Sequence, residues 1–117
     1  MTHAAASAPF QALADPNRRR IVEMLAGQPM PAGAIAARFA ISKPAVSQHL
    51  KALREAALVR VRVQGQQRIY SLDPAGMGAL EEWFESVRRF WVPRLDALER
   101  ELRKADDGET EGKDKQP

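Results

Sequence analysis

Residues 41–54 have the sequence ISKPAVSQHLKALR. Apolar side chains recur in it at i, i+4 and i+7, which is the spacing of one buried helical stripe; they are Val46, Leu50 and Leu53. Ser42 can cap this helix, and Pro44 falls in its first turn, where a missing N–H costs no hydrogen bond. The stretch therefore predicts a helix with one face in a core and its polar side chains exposed.

Another helix and several short segments precede residues 41–54. Asp15 predicts the N-cap of a helix, Pro16 its first residue and Gly27 its end. The shorter segments around it are a short helix over 10–14, a loop over 28–31, a short helix over 32–39 and a tight turn over 40–42. A short helix, a turn and a capped second helix form a helix-turn-helix, whose second helix presents polar side chains to the DNA major groove.

A β-hairpin follows the capped helix. Residues 58–63 read LVRVRV, whose period of 2 predicts a strand, and residues 67–72 return after a turn at 64–66. The valines share one face, and Arg60 and Arg62 share the other, where we expect Arg68 or a neighbour to join them. The chain order α-α-α-α-β-β-α predicts a mainly α fold with a β-hairpin wing, a winged helix-turn-helix.

The last helix has a long apolar face. Asp73 and Pro74 start it, and its apolar side chains continue as one stripe to Leu102. Pro93 removes a hydrogen bond and clashes with the preceding turn, which predicts a kink there or two helices that meet at Val92.

The two ends of the chain differ from its middle. Residues 1–9 are small and polar, and residues 105–117 carry five acids and no apolar residue larger than alanine. Such composition predicts disorder at both ends. The expected organisation is a tail over 1–9, a winged helix-turn-helix domain over 10–104 with its dimerisation helix at about 74–104, and an acidic tail over 105–117.

Composition narrows the class of protein. The 117 residues fit one domain. We see neither an apolar run of about 20 residues nor a secretory signal at the start. The chain has no cysteine, and the sequence shows no paired histidines or clustered acids that could act as nucleophile and base, so we expect a protein that is not an enzyme.

Charge is unevenly divided along the chain. Residues 1–72 carry ten Lys/Arg and three Asp/Glu, a net charge of +7, whereas residues 73–117 carry eight and twelve, a net charge of −4. The basic front part favours a nucleic-acid partner for the winged region.

Three stretches carry a family resemblance: ADPNR at 14–18, ISKPAVSQHLKALR at 41–54 and LDP at 72–74. They resemble the winged-helix repressors of the ArsR/SmtB family over about residues 8–104. Within the family the chain is similar to the cysteine-free branch around the sporulation-delay autorepressor, whose last helix is also Trp-rich. The resemblance implies a dimeric bacterial transcriptional repressor in which the first short helix and the long last helix form the dimer interface.

The exposed half of the capped helix supplies the first DNA contacts. Gln48 can make a bidentate contact with adenine, the alternative being a solvated glutamine. Lys43, Ser47 and Lys51 suit phosphate, which positions the helix without reading bases. For Lys51 the alternative is a solvated helix charge.

Further candidates flank that helix and lie on the wing. His49 borders the buried stripe, which favours packing or a phosphate hydrogen bond over metal ligation, and the resemblance implies a place at the DNA surface. Arg62 and Arg68 can enter a minor groove or bind phosphates, whereas Arg18 points partly inward and predicts a salt bridge. The candidate DNA-binding residues are Lys43, Ser47, Gln48, His49, Lys51, Arg54, Arg62, Gln66 and Arg68.

The aromatic stripe predicts self-association. Two Trp and two Phe on one helix exceed what a small domain needs to cover itself, so we expect burial in a second copy rather than on the chain's own winged domain. A two-fold dimer places two recognition helices roughly 34 Å apart over an inverted repeat of double-stranded DNA. The candidate interface residues are Phe10, Leu13, Leu80, Trp83, Phe84, Val87, Phe90, Trp91, Leu95 and Leu98.

Metal sensing is not expected. Family members sense metals through cysteines at the start of the first helix of the helix-turn-helix, or through His and carboxylates on the last helix. This chain has residues 31–33 and Ala36 at the first place, and Asp96, Glu99 and Glu101 without histidine at the second. We therefore predict no metal site and no cofactor.

These observations predict a sequence-specific DNA-binding regulator, most simply a dimeric repressor or autorepressor that acts in the cytoplasm at the nucleoid. An effector can be a small molecule, a protein or absent. The alternative is a protein-interaction module that uses the aromatic helix to hold another protein, with DNA binding incidental.

Overall fold

The computed structural model describes the backbone of residues 4–114 and the side chains of residues 5–108. Its elements in chain order are α1 (Ala4–Ala12), α2 (Pro16–Gly27), β1 (Met30–Pro31), α3 (Ala32–Ala36), α4 (Lys43–Glu55), β2 (Val59–Gln64), β3 (Gln67–Leu72) and α5 (Pro74–Asp114). The predicted winged helix-turn-helix is confirmed. Two units divide the chain, the first ending at Trp83 and the second beginning at Phe84. Within the described residues, every helix is too short or too polar to cross a membrane.

The core of the first unit is built on α4. Its predicted stripe is confirmed, because Val46, Leu50 and Leu53 are 2, 3 and 0 % exposed. They belong to one apolar cluster with Ile21 of α2 and Ile35 of α3, both fully buried. Burying an aliphatic side chain of this size stabilises the fold by roughly 1.5–3 kcal/mol, so this face of α4 cannot turn toward solvent without loss of the core.

Three polar side chains set the starts of the long helices, as the sequence predicts. Asp15 Oδ1 accepts hydrogen bonds from the backbone amides two and three residues ahead, at 2.7 and 3.2 Å. Ser42 Oγ accepts from the amide three residues ahead at 3.3 Å, and Asp73 Oδ1 from the amide two residues ahead at 2.9 Å. Each satisfies an amide that the first helical turn leaves without a partner.

The sheet contains a strand that the sequence analysis missed. We predicted a loop over 28–31, but Met30 pairs with Tyr70 and Pro31 with Ile69, giving an antiparallel sheet in the order β1-β3-β2. A strand of two residues is too short to show a period of 2. A proline is tolerated in it because β1 lies at the sheet edge.

Both ends of the described chain are more helical than predicted. Disorder over 1–9 and 105–117 is wrong for residues 4–9, which lie in α1, and for residues 105–114, which lie in α5. Alanine has the highest helix propensity, and Ala6 is also buried. Extending an existing helix needs no new nucleus, which favours continuation of α5. Residues 1–3 and 115–117 lie outside the described residues.

Pro93 lies inside α5. The expectation of two helices that meet at Val92 is therefore wrong, and a kink at Pro93 stays a prediction. Arg94 Nη1 donates to the carbonyl oxygen of Phe90 at 2.6 Å, and its guanidinium lies 3.8 Å from the centre of the Phe90 ring.

The end of α4 is locked to the start of α5. Ala57 has φ +57°, a left-handed conformation that usually requires glycine. Its carbonyl oxygen accepts a hydrogen bond from the Gly76 amide at 2.8 Å. A Cβ atom at residue 76 would lie 2.3 Å from that same oxygen. Only glycine allows this approach of two backbones.

We expect Gly76→Ala to lower the free energy of unfolding by about 2–3 kcal/mol, because the new methyl group meets backbone that cannot give way. Gly78→Ala is the matched control, since a Cβ there meets nothing within 4 Å apart from its chain neighbours and the local backbone of its own helix, and higher helix propensity predicts a gain of up to about 1 kcal/mol. Urea unfolding at one protein concentration measures both. Equal effects of the two substitutions would refute the close approach.

The Asp15 cap predicts a pH dependence. Burial raises the pKa of Asp15, but hydrogen bonds from the Arg18 and Asn17 amides, together with the nearby His49 and Arg18 side chains, outweigh it, so the pKa is lowered overall. A lowered folded-state pKa gives stability that is present above the unfolded-state pKa and is lost as the pH falls.

At neutral pH we expect Asp15→Ala to cost about 1 kcal/mol of unfolding free energy, and Asp15→Asn to cost less because asparagine also caps helices. The difference between the parent chain and Asp15→Ala should shrink below about pH 4, where the carboxylate becomes protonated. Thermal unfolding across this pH range measures it. A difference that does not vary with pH would show that the carboxylate charge has no part in the cap.

Candidate DNA-binding surface

The polar face of α4 forms the centre of the candidate surface. Because the apolar stripe is buried, the residues on the opposite half of the helix are exposed as predicted; they are Pro44, Ser47, Gln48, Lys51 and Arg54, with Lys43 at the first helical position. The Ser42 cap fixes where the helix begins. The structure thus presents an amide, a hydroxyl and three cations on the solvent side of one helix.

The turn before α4 begins earlier than predicted, because α3 is shorter than predicted. Regular helix ends at Ala36 rather than Phe39. The chain continues to Phe39 through hydrogen bonds between residues three apart, from Arg38 N to Ile35 O at 3.0 Å and from Phe39 N to Ala36 O at 3.2 Å. The Arg20 guanidinium of α2 lies 4.7 Å from the centre of the Phe39 ring and holds this turn against α2.

The wing is a hairpin with a two-residue turn. Gln64 pairs with Gln67, so the turn consists of Gly65 and Gln66, and Gly65 has φ +63°. A positive φ at the first turn residue suits the twist of such hairpins, and glycine adopts it without strain. Gln66 therefore lies at the exposed tip of the wing.

The register decides between the two predicted alternatives for the arginine face, Arg68 or a neighbour, in favour of the neighbour. Val63 pairs with Arg68 and Arg62 pairs with Ile69. Paired residues of antiparallel strands point to the same side, so Arg68 shares the valine face and Gln67, its neighbour, joins the arginines. The two-residue turn sets this register. Arg62 and Arg68 therefore extend from opposite faces of the wing, and both are exposed.

Arg60 is a basic wing residue that our candidate set omits. It lines, with Arg62 and Ser71, a cleft of about 390 Å³ beside the wing. The alternation of residues 59–63 was the signal that could have added it, because Arg60 and Arg62 share a face.

Among the described side chains of the first unit, no lysine or arginine forms an ion pair with an acidic side chain. Within the described residues the ion pairs are Glu85–Arg88, Glu99–Arg103 and Glu101–Lys104, all exposed and all in the second unit. Exposed pairs of this kind contribute little to stability. No acidic side chain is paired with the described cations of α4 and the wing, so they create a positive field suited to a polyanion.

His49 and Arg18 meet between α4 and α2. Arg18 Nε donates a hydrogen bond to His49 Nδ1 at 3.2 Å, and both side chains are partly buried. The predicted salt bridge of Arg18 is wrong, since its partner is an imidazole and the nearby Asp15 carboxylate accepts backbone amides. The two residues are 31 positions apart, so local sequence patterns gave no signal for the contact.

The predicted dimer face divides between the units. In the second unit Phe84, Phe90, Trp91, Leu95 and Leu98 are 49–56 % exposed, and Val87 is half-buried. An apolar stripe this exposed fits burial in another chain.

In the first unit the predicted interface residues are less available. Leu80 is 7 % exposed and belongs to the core of its own protomer. The prediction that it lies in the dimer interface is therefore wrong. Phe10 and Leu13 are half-buried and pack against the same core. Phe10 also meets Trp83 edge to face, with ring centres 4.7 Å apart. The stripe pattern did not distinguish these residues, because helical spacing is the same in a core and in an interface.

No group of three or more potential metal ligands occurs within the part of the chain that the structure describes. His3, the other histidine, lies outside it. The absence of a metal sensor stays a prediction.

Fold and surface together define a winged helix-turn-helix of the DNA-binding class. Residues 13–62 match the sequence profile of a helix-turn-helix domain family. The chain is 49% identical over 86 residues to the HTH-type transcriptional regulator Rv2034 of Mycobacterium tuberculosis, covering 74% of this chain and 78% of the relative. It is 45% identical over 64 residues to the transcriptional repressor SdpR of Bacillus subtilis, covering 55% and 71%.

A solved structure agrees with these relatives. The ArsR-like transcriptional regulator from Rhodococcus sp. RHA1 superposes with a TM-score of 0.65 at 28% identity, covering 83% of this chain and 92% of that one. The chain belongs to the ArsR/SmtB family of winged helix-turn-helix transcriptional regulators.

Proposed function

We propose that the chain acts as a homodimeric transcriptional repressor that binds an inverted-repeat operator through two α4 helices, without a bound metal. The observation that carries this proposal is the division of α4 into a buried apolar face and an exposed face of Gln48, Ser47 and unpaired cations. Similarity to the transcriptional repressor SdpR supports repression of transcription.

Each exposed group of α4 has a distinct task. Gln48 lies in the second turn, where its amide can donate and accept with an adenine edge. Lys43, Ser47 and Lys51 lie around it and bind phosphate oxygens, which fixes the register of the helix in the groove. Arg54 extends this row of contacts toward the end of the helix.

The wing adds contacts beside the helix. Arg62 and Arg68 leave opposite faces of the hairpin, so a wing placed at a minor groove brings one arginine to each of its walls. Gln66 at the tip reaches furthest. Arg60 in the cleft beside Arg62 adds a phosphate contact.

Self-association follows from the second unit. Its exposed aromatic and leucine side chains form a patch of the kind that marks protein interfaces. A second copy offers the same patch, and a two-fold dimer is the common closed solution. Two α4 helices related by that axis read an inverted repeat with half-site centres roughly 34 Å apart.

A transcriptional regulator of this family acts in the cytoplasm, and we place this one at the nucleoid. Its operator can be identified by direct selection of bound DNA. Recovery of bound duplexes from a random pool should yield one motif with two-fold symmetry. Recovery of no enriched motif at matched salt would refute sequence-specific binding.

We expect Gln48→Ala to weaken binding to the recovered duplex by about 5- to 100-fold while changing binding to random duplex little, because it removes a base contact. Gln28→Ala, which truncates an exposed glutamine in the loop after α2, is the matched control. Fluorescence anisotropy measures both. Equal losses on recovered and random duplexes would refute base recognition by Gln48.

Arg62→Ala should weaken binding to both duplexes and reduce the slope of log affinity against log salt by about 1, because it removes one phosphate contact. A salt titration by anisotropy measures the slope. An unchanged slope would place Arg62 away from phosphate.

Trp91→Glu should convert the dimer into monomers and weaken operator binding strongly, because a charge would be buried in the apolar contact. Arg100→Glu is the matched control and should remain a dimer. It introduces the same carboxylate on the opposite side of α5, since nine residues turn an α-helix by about 180°. Sedimentation velocity measures both masses. A dimer that survives Trp91→Glu would move the interface elsewhere.

A further inference from the structure

The hydrogen bond between Arg18 and His49 links a helix outside the DNA-binding surface to a residue on it. Arg18 lies in the first turn of α2, and its Nε donates to His49 Nδ1 at 3.2 Å. His49 follows Gln48 on α4 and is half-buried at the border of the exposed face. Nothing in the activity described above uses Arg18.

The position of Arg18 is itself held in place. Asp15 Oδ1 accepts a hydrogen bond from the Arg18 backbone amide at 3.2 Å, in addition to the one from Asn17. The cap therefore fixes the backbone from which the Arg18 side chain extends. Its neighbour Arg19 points elsewhere, donating to the carbonyl oxygens of Leu13 and Ala14.

The direction of the hydrogen bond determines the state of the imidazole. A nitrogen that accepts a hydrogen bond carries a lone pair, so the neutral ring has its hydrogen on Nε2. Nε2 is then a donor, on the opposite side of the ring from Arg18. A fixed N–H donor at the edge of a DNA-facing surface suits a phosphate oxygen, which accepts but cannot donate.

We infer that Arg18 is a positioning residue for DNA binding, which holds His49 in the Nε2–H tautomer so that this nitrogen donates to a backbone phosphate. The inference rests on the proposed function, because it assumes that α4 faces DNA. Guanidinium suits the task because it is planar, always charged and presents Nε–H in a fixed direction. Arg18 acts through His49 and has no DNA contact of its own.

Nitrogen NMR of the free protein tests the hydrogen bond without DNA. The chain has two histidines, His3 and His49, so their ring signals are assigned by comparison with His49→Ala. Under mildly alkaline conditions, where free imidazole is neutral, Nδ1 of His49 should show the shift of an unprotonated, hydrogen-bonded nitrogen. Arg18→Met should move that signal. Arg19→Met, which removes the same charge one residue away, should leave it in place.

A double-mutant cycle on the selected duplex tests the role of Arg18. In the parent chain Arg18→Met should weaken binding by about three- to tenfold, but by less than about twofold when His49 is already alanine. Arg19→Met should cause a loss that is the same in both backgrounds. Circular dichroism checks that each variant is folded at the assay temperature.

The outcomes separate this inference from the proposed function. Equal losses from Arg18→Met with and without His49 would overturn the inference, because Arg18 would then bind DNA directly or act only on stability. If Gln48→Ala weakens binding and Arg18→Met does not, the proposed function stands and the inference fails. If neither weakens binding, both fail.

Discussion

Burial of one face of α4 is the constraint on which the rest of this structure depends. Val46, Leu50 and Leu53 cannot leave the core without exposing apolar surface, so the rotation of the helix about its axis is fixed. Fixing that rotation also fixes which side chains face solvent. Gln48 and Ser47 are exposed because of where the three apolar residues lie. Packing and recognition are two faces of one short helix.

The other elements hold α4 at both ends and along one side. Ser42 caps its start, and the left-handed Ala57 ends it against the close approach of Gly76. Between these ends the Arg18–His49 hydrogen bond ties α4 to α2. The cap is local to α4, whereas the other two contacts connect it to the start of α5 and to α2.

The sequence predicted features that depend on neighbouring residues. The α4 stripe and the starts of helices at Asp15 and Asp73 follow local rules of spacing and capping, and they are confirmed. Features that depend on distant partners were missed. The strand at β1 and the partner of Arg18 require knowing which segments meet. The choice between Arg68 and its neighbour for the arginine face stayed open for the same reason. Of the candidate site, the exposure of the α4 residues could be predicted, whereas their contacts with DNA stay predictions.

Unpaired cations lie on α4 and the wing, and an exposed aromatic stripe lies in the second unit. The central claim is that the polar face of α4 reads DNA. A structure of the protein bound to its selected duplex tests this most directly. We expect the Gln48 side-chain amide within hydrogen-bond distance of a base edge in the major groove of each half-site. A complex in which α4 faces solvent and another surface contacts the DNA would contradict the claim.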